Sequence, residues 1–437
     1  MKIMKLPSKW KNLNILEKIT LITVFSITVF QIISVFVWVS PQTSDSKRYL
    51  LQAMQTAERN SFYPDKTNVI TDYIVAPGYI NYLSLFFRIT NDIRVPMIFN
   101  VFLTLFFGFL VYYIAGKLFS SRNVGCVAVI FMYLLVTNSS EVLSFRTETL
   151  YNVLTYAAVA VVLSNIKGKF FIAGALFAMA NSVRPLAITF LGAILLFLFV
   201  KKIKIRHMVK MTAMFLCTVV LIGTAGYISC GKFVYASTTG GINLIMSAND
   251  AADGSYDETV FQKGNPGYLS KEQKSGMTFK DRNDFYMEQS VKWILENPLS
   301  YIKQIPNKLF IMYGSENYSV TAYNSFSERP ISQILKNLVS LNFDRLLFLD
   351  YMIIANQLLY IILLLFAVLG TVTVIRRKEN RSSLFLLSMI MVTGTAMTLV
   401  TNMSPRYHNP YLPVLYILSA VFVCELRDKR NQKRTAI

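Results

Sequence analysis

Charged residues are scarce in this sequence. They make up 16% of its 437 residues, whereas a soluble protein usually carries about a quarter. Hydrophobic residues account for 54% of the chain, and the mean hydropathy is +0.43. This composition excludes an ordinary water-soluble enzyme and an intrinsically disordered chain.

Histidine and cysteine are also rare, with two and four residues respectively. The cysteines lie in or beside apolar runs and lack the spacing of a metal site, so we expect them to be small core residues. The sequence therefore predicts no metal centre and no cofactor, although a divalent ion at the site is left open.

Long apolar runs predict a polytopic, all-α membrane protein. A transmembrane helix needs about 20 apolar residues, because the hydrocarbon core of a bilayer is ~30 Å thick. Eight runs without an internal break meet this requirement: 19–39, 95–116, 123–140, 149–166, 211–231, 351–375, 382–405 and 407–424. The first is not followed by a small-residue cleavage site, so we expect it to stay uncleaved.

One further run, 170–200, is interrupted at Arg184-Pro185 and decides the topology. If this run forms two helices, the chain has ten spans. The inner side of the membrane then carries 23 of the 44 lysines and arginines and four of the 24 acidic residues. As one helix it would put the basic run 201–204 outside, against the positive-inside rule. We therefore predict a ten-helix bundle, N-in and C-in. The net charge of +20 is then a topology signal with some affinity for anionic lipid, and nucleic-acid binding is not expected.

The spans divide the chain into three regions. Residues 1–231 form a transmembrane bundle with a first external loop over 41–94, residues 232–345 form a larger external loop region, and residues 346–437 hold the last helices and a cytoplasmic tail. The first loop begins with an amphipathic helix over 44–57. The larger loop contains helices over 284–297 and 298–313, since Asn297-Pro298 stops the first of them.

Two carboxylates lie at predicted outer ends of spans. Asp45 follows the first span and could act as a general base toward a hydroxyl; the alternative is a solvated helix N-cap. Glu148 stands immediately before the fourth span, across a short loop from Glu141. It could hold a substrate or metal, or simply pair with Arg146.

Three isolated cations, Arg48, Arg184 and Arg406, also fall at outer ends of spans. Arginine offers planar, bidentate donors to phosphate, and an ionisable group near the membrane core is by default a functional candidate. The alternative for each is snorkelling to lipid headgroups. His408 stands near Arg406 and is more typical of a buried hydrogen-bonding group than of a catalyst.

The outer-face motifs, taken in their order along the chain, resemble those of the GT-C superfamily of polytopic glycosyltransferases. The branch is the bacterial one related to protein O-mannosyltransferases and aminoarabinose transferases (glycosyltransferase family 39-like). The motifs are Asp45-Ser46-Lys47-Arg48-Tyr49, Ala76-Pro77-Gly78-Tyr79, Thr147-Glu148-Thr149-Leu150, Arg184-Pro185, Gly241-Ile242-Asn243-Leu244, and Arg406-Tyr407 with Pro410 and Pro413. The chain departs from relatives in having Val75-Ala76 where aminoarabinose transferases carry a lysine, and Ser46 where many carry a second acid.

The resemblance implies a GT-C-like bundle that transfers a sugar from a polyprenyl-phosphate donor to an envelope glycan, lipid or protein at the outer face of the bacterial plasma membrane. By match, Asp45 is the catalytic base, and attack inverts the anomeric centre. The remaining matched or neighbouring residues form the substrate- and phosphate-binding set: Arg48, Tyr49, Glu148, Arg184, Arg406, Tyr407 and His408.

Two other classes stay open from the sequence. A surface-polysaccharide polymerase or ligase would use an oligosaccharide donor, and a non-enzymatic lipid-glycan flippase or transporter would show inverted repeats. The sugar and the acceptor are not specified by any motif.

Overall fold

The computed structural model describes residues 13–38, 42–68, 73–318, 320 and 331–435. The regular secondary structure of these residues is helical. These residues form no β-strand beyond one isolated bridge between Ser255 and Met403, which confirms the predicted all-α class. The helices are α1 Ile15–Val37, α2 Ser44–Glu58, α3 Pro77–Phe87, α4 Arg94–Phe119, α5 Arg122–Leu134, α6 Val136–Ser140, α7 Glu148–Leu163, α8 Lys169–Val183, α9 Ala187–Val200, α10 Ile205–Cys230, α11 Gly240–Ile245, α12 Lys271–Ser275, α13 Phe279–Glu296, α14 Pro298–Lys303, α15 Ile305–Tyr313, α16 Ile331–Val339, α17 Phe348–Arg377, α18 Arg381–Leu399 and α19 Leu412–Thr435.

Six helical segments in this part of the chain are long and apolar enough to cross a membrane: α1, α4, α10, α17, α18 and the segment that contains α19. The bent pair that begins with α5 makes a seventh if it is one span, and α7, α8 and α9 are shorter apolar helices. A multi-pass membrane protein is thereby confirmed, while the count of ten spans stays a prediction.

The predicted span 123–140 is not one continuous helix. The chain bends by 66° after α5, where Leu135 adopts an extended conformation. Side-chain amides replace the helical hydrogen bonds that the bend removes. Asn138 donates to the carbonyl of Met132 at 2.8 Å, and Asn356 of α17 accepts from the N–H of Val136 at 2.7 Å.

The run 170–200 forms two helices, as predicted. Arg184 precedes Pro185 and has an extended backbone, φ −150° and ψ 124°, because the proline ring disfavours helical geometry at the preceding residue. Since α8 runs toward this turn and α9 runs away from it, the side chain of Arg184 lies at one end of the bundle.

Helices in the loop regions refine the sequence prediction. The predicted helix 44–57 is α2, and the helix predicted over 284–297 begins earlier, at Phe279, behind a capping box made by Thr278 and Asp281. The helix predicted over 298–313 is two helices that meet at Gln304, because Pro306 starts α15. The last predicted span, 407–424, begins as a 3₁₀ turn, Pro405–Tyr411, before α19.

Candidate active site

A cavity of about 370 Å³ lies at the end of the bundle where α8 meets α9. Its walls come from the start of α2, the N-terminus of α7, the α8–α9 turn, α11, the end of α18 and the turn before α19. Seven of the eight site residues expected from the sequence line it: Asp45, Arg48, Tyr49, Glu148, Arg184, Arg406 and Tyr407.

Helix α2 presents three of these side chains to the cavity. Asp45 lies three residues before Arg48 and four before Tyr49, so all three share one face of the helix. The Tyr49 ring is buried and packs edge-on against Tyr79 of α3, with ring centroids 5.5 Å apart. This contact fixes α2 against α3 and thereby the position of Asp45.

Two ion pairs cross the cavity. Arg184 Nη1 donates to Glu148 Oε1 at 2.8 Å, which joins the α8–α9 turn to the N-terminus of α7. The guanidinium of Arg406 contacts the carboxylate of Asp45, which joins the turn before α19 to α2. Asp45 is therefore not a solvated helix cap, and Thr43 rather than Asp45 occupies the N-cap position.

Arg48 is the third arginine of a cavity that has two carboxylates. Within the described residues, no carboxylate lies at ion-pair distance from it; its guanidinium contacts the hydroxyl of Tyr73 and lies 4.4 Å from the centre of that ring. Partial burial acts to lower the pKa of Arg48, but Tyr73 and the nearby Asp45 outweigh burial and the pKa is raised. Arg48 therefore stays positively charged, and the five charged groups of the cavity sum to one net positive charge.

Glu148 and Glu141 take different partners. Arg146 pairs with Glu141 at 3.4 Å, while Glu148 pairs with Arg184. The side chain of Glu148 is 3% exposed, so its charge is compensated inside the protein rather than by water.

His408 lies outside the cavity. It is 1% exposed, its Nε2 contacts the carboxylate of Glu316, and its ring lies 5.3 Å from that of Tyr360 and 5.8 Å from that of Tyr313. The sequence-based assignment of His408 to the substrate site therefore finds no support in this geometry. Its position fits the alternative interpretation, a buried hydrogen-bonding group.

The segment that contains α11 forms part of the cavity wall. The N–H of Thr238 donates to the carbonyl of Ile74 at 2.9 Å, and the N–H of Ala76 donates to Ser237 Oγ at 2.8 Å. Ala76 has a positive φ of 38° at the entry to α3, a conformation that costs energy for a residue with a Cβ. These bonds tie the segment just before α11 to the segment just before α3, and both segments line the cavity.

Several hydroxyl groups of the lining were not predicted from the sequence: Tyr73, Ser237, Thr239, Tyr256, Thr398 and Thr401. They come from four separate stretches, and no spacing connects them in the sequence. In the described part of the chain, no group of three His, Cys, Asp or Glu side chains is close enough to hold a metal ion. Independence from metal stays a prediction.

No family model and no curated protein matches this sequence. Solved structures that are similar to it include the following two. One is the archaeal oligosaccharyltransferase AglB from Archaeoglobus fulgidus, in complex with an inhibitory peptide and a dolichol-phosphate; it is 11% identical with a TM-score of 0.47, over 97% of this chain and 52% of that one. The other is ArnT from Cupriavidus metallidurans bound to undecaprenyl phosphate; it is 10% identical with a TM-score of 0.34, over 92% of this chain and 77% of that one. The chain spans about half the length of the archaeal protein, and its function has to follow from its own cavity.

Proposed function

We propose that this chain is a GT-C-type membrane glycosyltransferase. It moves a sugar from a polyprenyl-phosphate donor to an acceptor hydroxyl at the outer face of the bacterial plasma membrane. The observation that carries the proposal is the convergence of three arginines and two carboxylates, from distant parts of the chain, on one cavity. A phosphate leaving group needs cations and a hydroxyl nucleophile needs a base, and this cavity contains both.

Arg48 is the group that meets the donor phosphate first. Both other cavity arginines already have a carboxylate partner, whereas Arg48 contacts the Tyr73 phenol and, among the residues that the structure describes, no carboxylate. A guanidinium can hold two phosphate oxygens at once, so phosphate binding at Arg48 also orients the sugar.

The size of the cavity favours a single sugar. Ligand pockets span roughly 300–1,000 Å³, and about 370 Å³ is at the small end of that range. A polymerase or ligase that takes an oligosaccharide donor needs more room. A transporter site is expected near the middle of the membrane, whereas these charges lie at the ends of helices.

Asp45 is the base in the transfer step. Its carboxylate takes the proton of the acceptor hydroxyl while that oxygen forms a bond to the anomeric carbon. The bond from the anomeric carbon to the phosphate oxygen breaks, and its electron pair leaves with the lipid phosphate. Attack from the side opposite the phosphate inverts the anomeric centre, and Arg48 and Arg406 stabilise the charge that develops on the leaving group.

The ion pair between Asp45 and Arg406 links donor binding to base activation. In the free protein each neutralises the other. A donor phosphate competes with Asp45 for the Arg406 guanidinium, and the carboxylate that is released can then accept a proton. The base thus becomes available only in the donor complex. This order of events limits the chance that water takes the place of the acceptor.

The test is mass spectrometry of polyprenyl-phosphate sugars and envelope glycans. A strain that lacks the gene is complemented with the wild type, with Asp45→Asn or with Glu58→Gln, a control that removes an exposed carboxylate from the same helix. General-base catalysis is worth about 10²- to 10⁴-fold, so Asp45→Asn is expected not to restore the missing sugar at equal membrane levels. The control is expected to restore it.

Two results would count against the proposal. Restoration by Asp45→Asn would remove the base assignment. A deletion that changes no lipid-linked sugar and no glycan would remove glycosyl transfer itself and favour the transporter.

A further inference from the structure

A second cavity lies at the opposite end of the bundle from the first. It has a volume of about 630 Å³ and forms where α7 leads into α8 and α9 leads into α10. Helix α8 connects the two cavities, from Lys169 at this end to the Arg184 turn at the other; its 15 residues span about 22 Å at ~1.5 Å per residue.

The charged residues that line this second cavity are basic. They are Lys169, Lys202, Lys204, Arg206 and Lys210, together with His207, and no aspartate or glutamate of the described residues contributes to its wall. The bulk of these side chains are exposed, yet like charges packed this closely repel one another. The arrangement is stabilised when an anion binds among them.

Helix geometry adds to the positive potential. The N-termini of α8 and α10 both face the cavity through Gly168, Lys204 and their neighbours. Among the described residues, no side chain caps either N-terminus. The positive ends of two helix dipoles therefore lie at the same cavity, which favours an anion there.

The floor of the cavity is ordered. The rings of Phe170 and His207 stack with centroids 4.7 Å apart, and Lys210 Nζ lies 5.5 Å from the ring of Phe171. Lys169 Nζ donates to the carbonyls of Val162 and Ser164 at 2.7 and 2.9 Å, which ties α8 to the end of α7. Two of the cations, Lys169 and Lys210, thus lie against aromatic rings.

An apolar crease of about 410 Å³ continues from the basic cavity and shares Lys202 and Ile203 with it. Its other lining residues are Phe199, Val200, Ile205 and Met208. Phe199 and Ile205 are each 67% exposed, as expected of side chains that contact lipid. A phosphate bound among the cations would therefore have a hydrocarbon-compatible surface directly beside it.

We infer that the basic cavity binds the phosphate headgroup of an anionic phospholipid, with the acyl region along the adjacent crease. The shared chemistry is a phosphate group; the crease and the location at a bundle end favour lipid over free phosphate as its source. This site does not depend on the glycosyltransferase proposal, because none of its residues lines the first cavity.

The test uses purified full-length protein, with binding of short-chain phosphatidylglycerol, phosphatidylcholine and inorganic phosphate measured by native mass spectrometry. The test variant is Lys204→Gln/Arg206→Gln/Lys210→Gln. The matched control, Arg376→Gln/Lys378→Gln/Arg381→Gln, removes three exposed cations from the turn between α17 and α18. Removing three cations at a lipid headgroup is expected to weaken phosphatidylglycerol binding by at least about tenfold. The control is expected to stay within about twofold of the wild type.

Each other outcome overturns the inference. Equal binding of phosphatidylglycerol and phosphatidylcholine, or equal losses in both triple variants, would reduce the cavity to a general basic surface. Saturable binding of inorganic phosphate that matches phosphatidylglycerol would move the source of the ligand from lipid to solution. Melting temperatures of both variants are measured alongside, so that misfolding is not taken for loss of the site.

Discussion

The two ion pairs of the first cavity differ in burial. We interpret the more buried pair, Arg184–Glu148, as structural and the more exposed pair, Arg406–Asp45, as able to exchange its partner for a ligand. The side chains of Arg184 and Glu148 are 12% and 3% exposed, whereas those of Arg406 and Asp45 are 20% and 28% exposed. A nearly buried charge has no water to replace a lost partner. A partly exposed pair can exchange its partner for a ligand at little cost.

Glu148→Gln is therefore expected to destabilise the protein by about 3–5 kcal/mol, because it leaves Arg184 without its partner. Asp45→Asn is expected to cost less than about 1 kcal/mol. Thermal unfolding of the two purified variants measures the difference. Equal destabilisation would show that the Asp45–Arg406 pair is structural, and the base assignment would lose its support.

Lys308 supplies a pH-dependent contribution to stability. It is 1% exposed, its Nζ donates to the carbonyl of Leu399 at 3.0 Å, and burial lowers its pKa to about 8. The pKa of an unfolded lysine is about 10.4, so above pH 8 the unfolded chain binds more protons than the folded protein and stability rises with pH. Below pH 8 both states are charged and the cost of burial is constant.

The expected gain between pH 7 and pH 9 is about 1 kcal/mol, and Lys308→Met is expected to remove it. Melting temperatures of the wild type and the variant at the two pH values give the comparison, in which all other titrating groups cancel. The prediction is wrong if both proteins respond equally to pH.

The charged site residues could be predicted because ionisable residues are rare in and beside apolar runs, so each of them is a functional candidate. Their pairing could not. Asp45 and Arg406 are separated by 361 positions, and only the packed fold brings them together. The contact of His408 with Glu316 likewise leaves no trace in local spacing, so its place outside the cavity could not be predicted.

At the scale of elements, close helix contacts fix the position of the α8–α9 turn. A Cβ at Gly174 of α8 would lie 2.2 Å from the carbonyl oxygen of Met211 in α10, whereas a Cβ at Gly192 of α9 would have nothing within 4 Å. Helix α8 can therefore approach α10 only through glycine at 174.

Gly174→Ala is expected to destabilise the protein by more than about 1 kcal/mol and to reduce transfer, because it displaces α8 from α10 and shifts Arg184 relative to Glu148. Gly192→Ala is expected to be neutral or stabilising by up to about 1 kcal/mol, since alanine favours a helix over glycine. Melting temperature and in-cell glycan restoration are measured for both. A harmful Gly192→Ala with a harmless Gly174→Ala would contradict this packing.

The proline boundaries at Arg184-Pro185 and Asn297-Pro298 were predicted from the sequence, whereas the one at Pro306 was not. The bend after α5 was not predicted. It has no proline, and the amide of Asn356 that supports it comes from α17, far along the chain.

At the scale of the molecule, the account requires the first cavity and the region 232–345 to face outward. In a Cys217→Ser background, Lys263→Cys is expected to react with a membrane-impermeant maleimide in intact cells, since Lys263 is an exposed residue of the region 232–345. Glu379→Cys, on the turn between α17 and α18, is expected to react only after permeabilisation. The reverse pattern would invert the topology and place the arginine cavity inside the cell.

The central claim is that the arginine cavity holds a lipid phosphate, and binding of undecaprenyl phosphate to the purified protein tests it most directly. Charge-assisted hydrogen bonds are worth about 1.5–3 kcal/mol, so Arg48→Gln is expected to weaken binding by roughly 10- to 150-fold. Lys47→Gln, which removes the exposed neighbouring cation on α2, is expected to leave it unchanged. Asp45→Asn is expected to bind equally or more tightly, because Arg406 is then free for the phosphate. Equal affinities for Arg48→Gln and Lys47→Gln would contradict the account, because the phosphate would then lie outside this cavity.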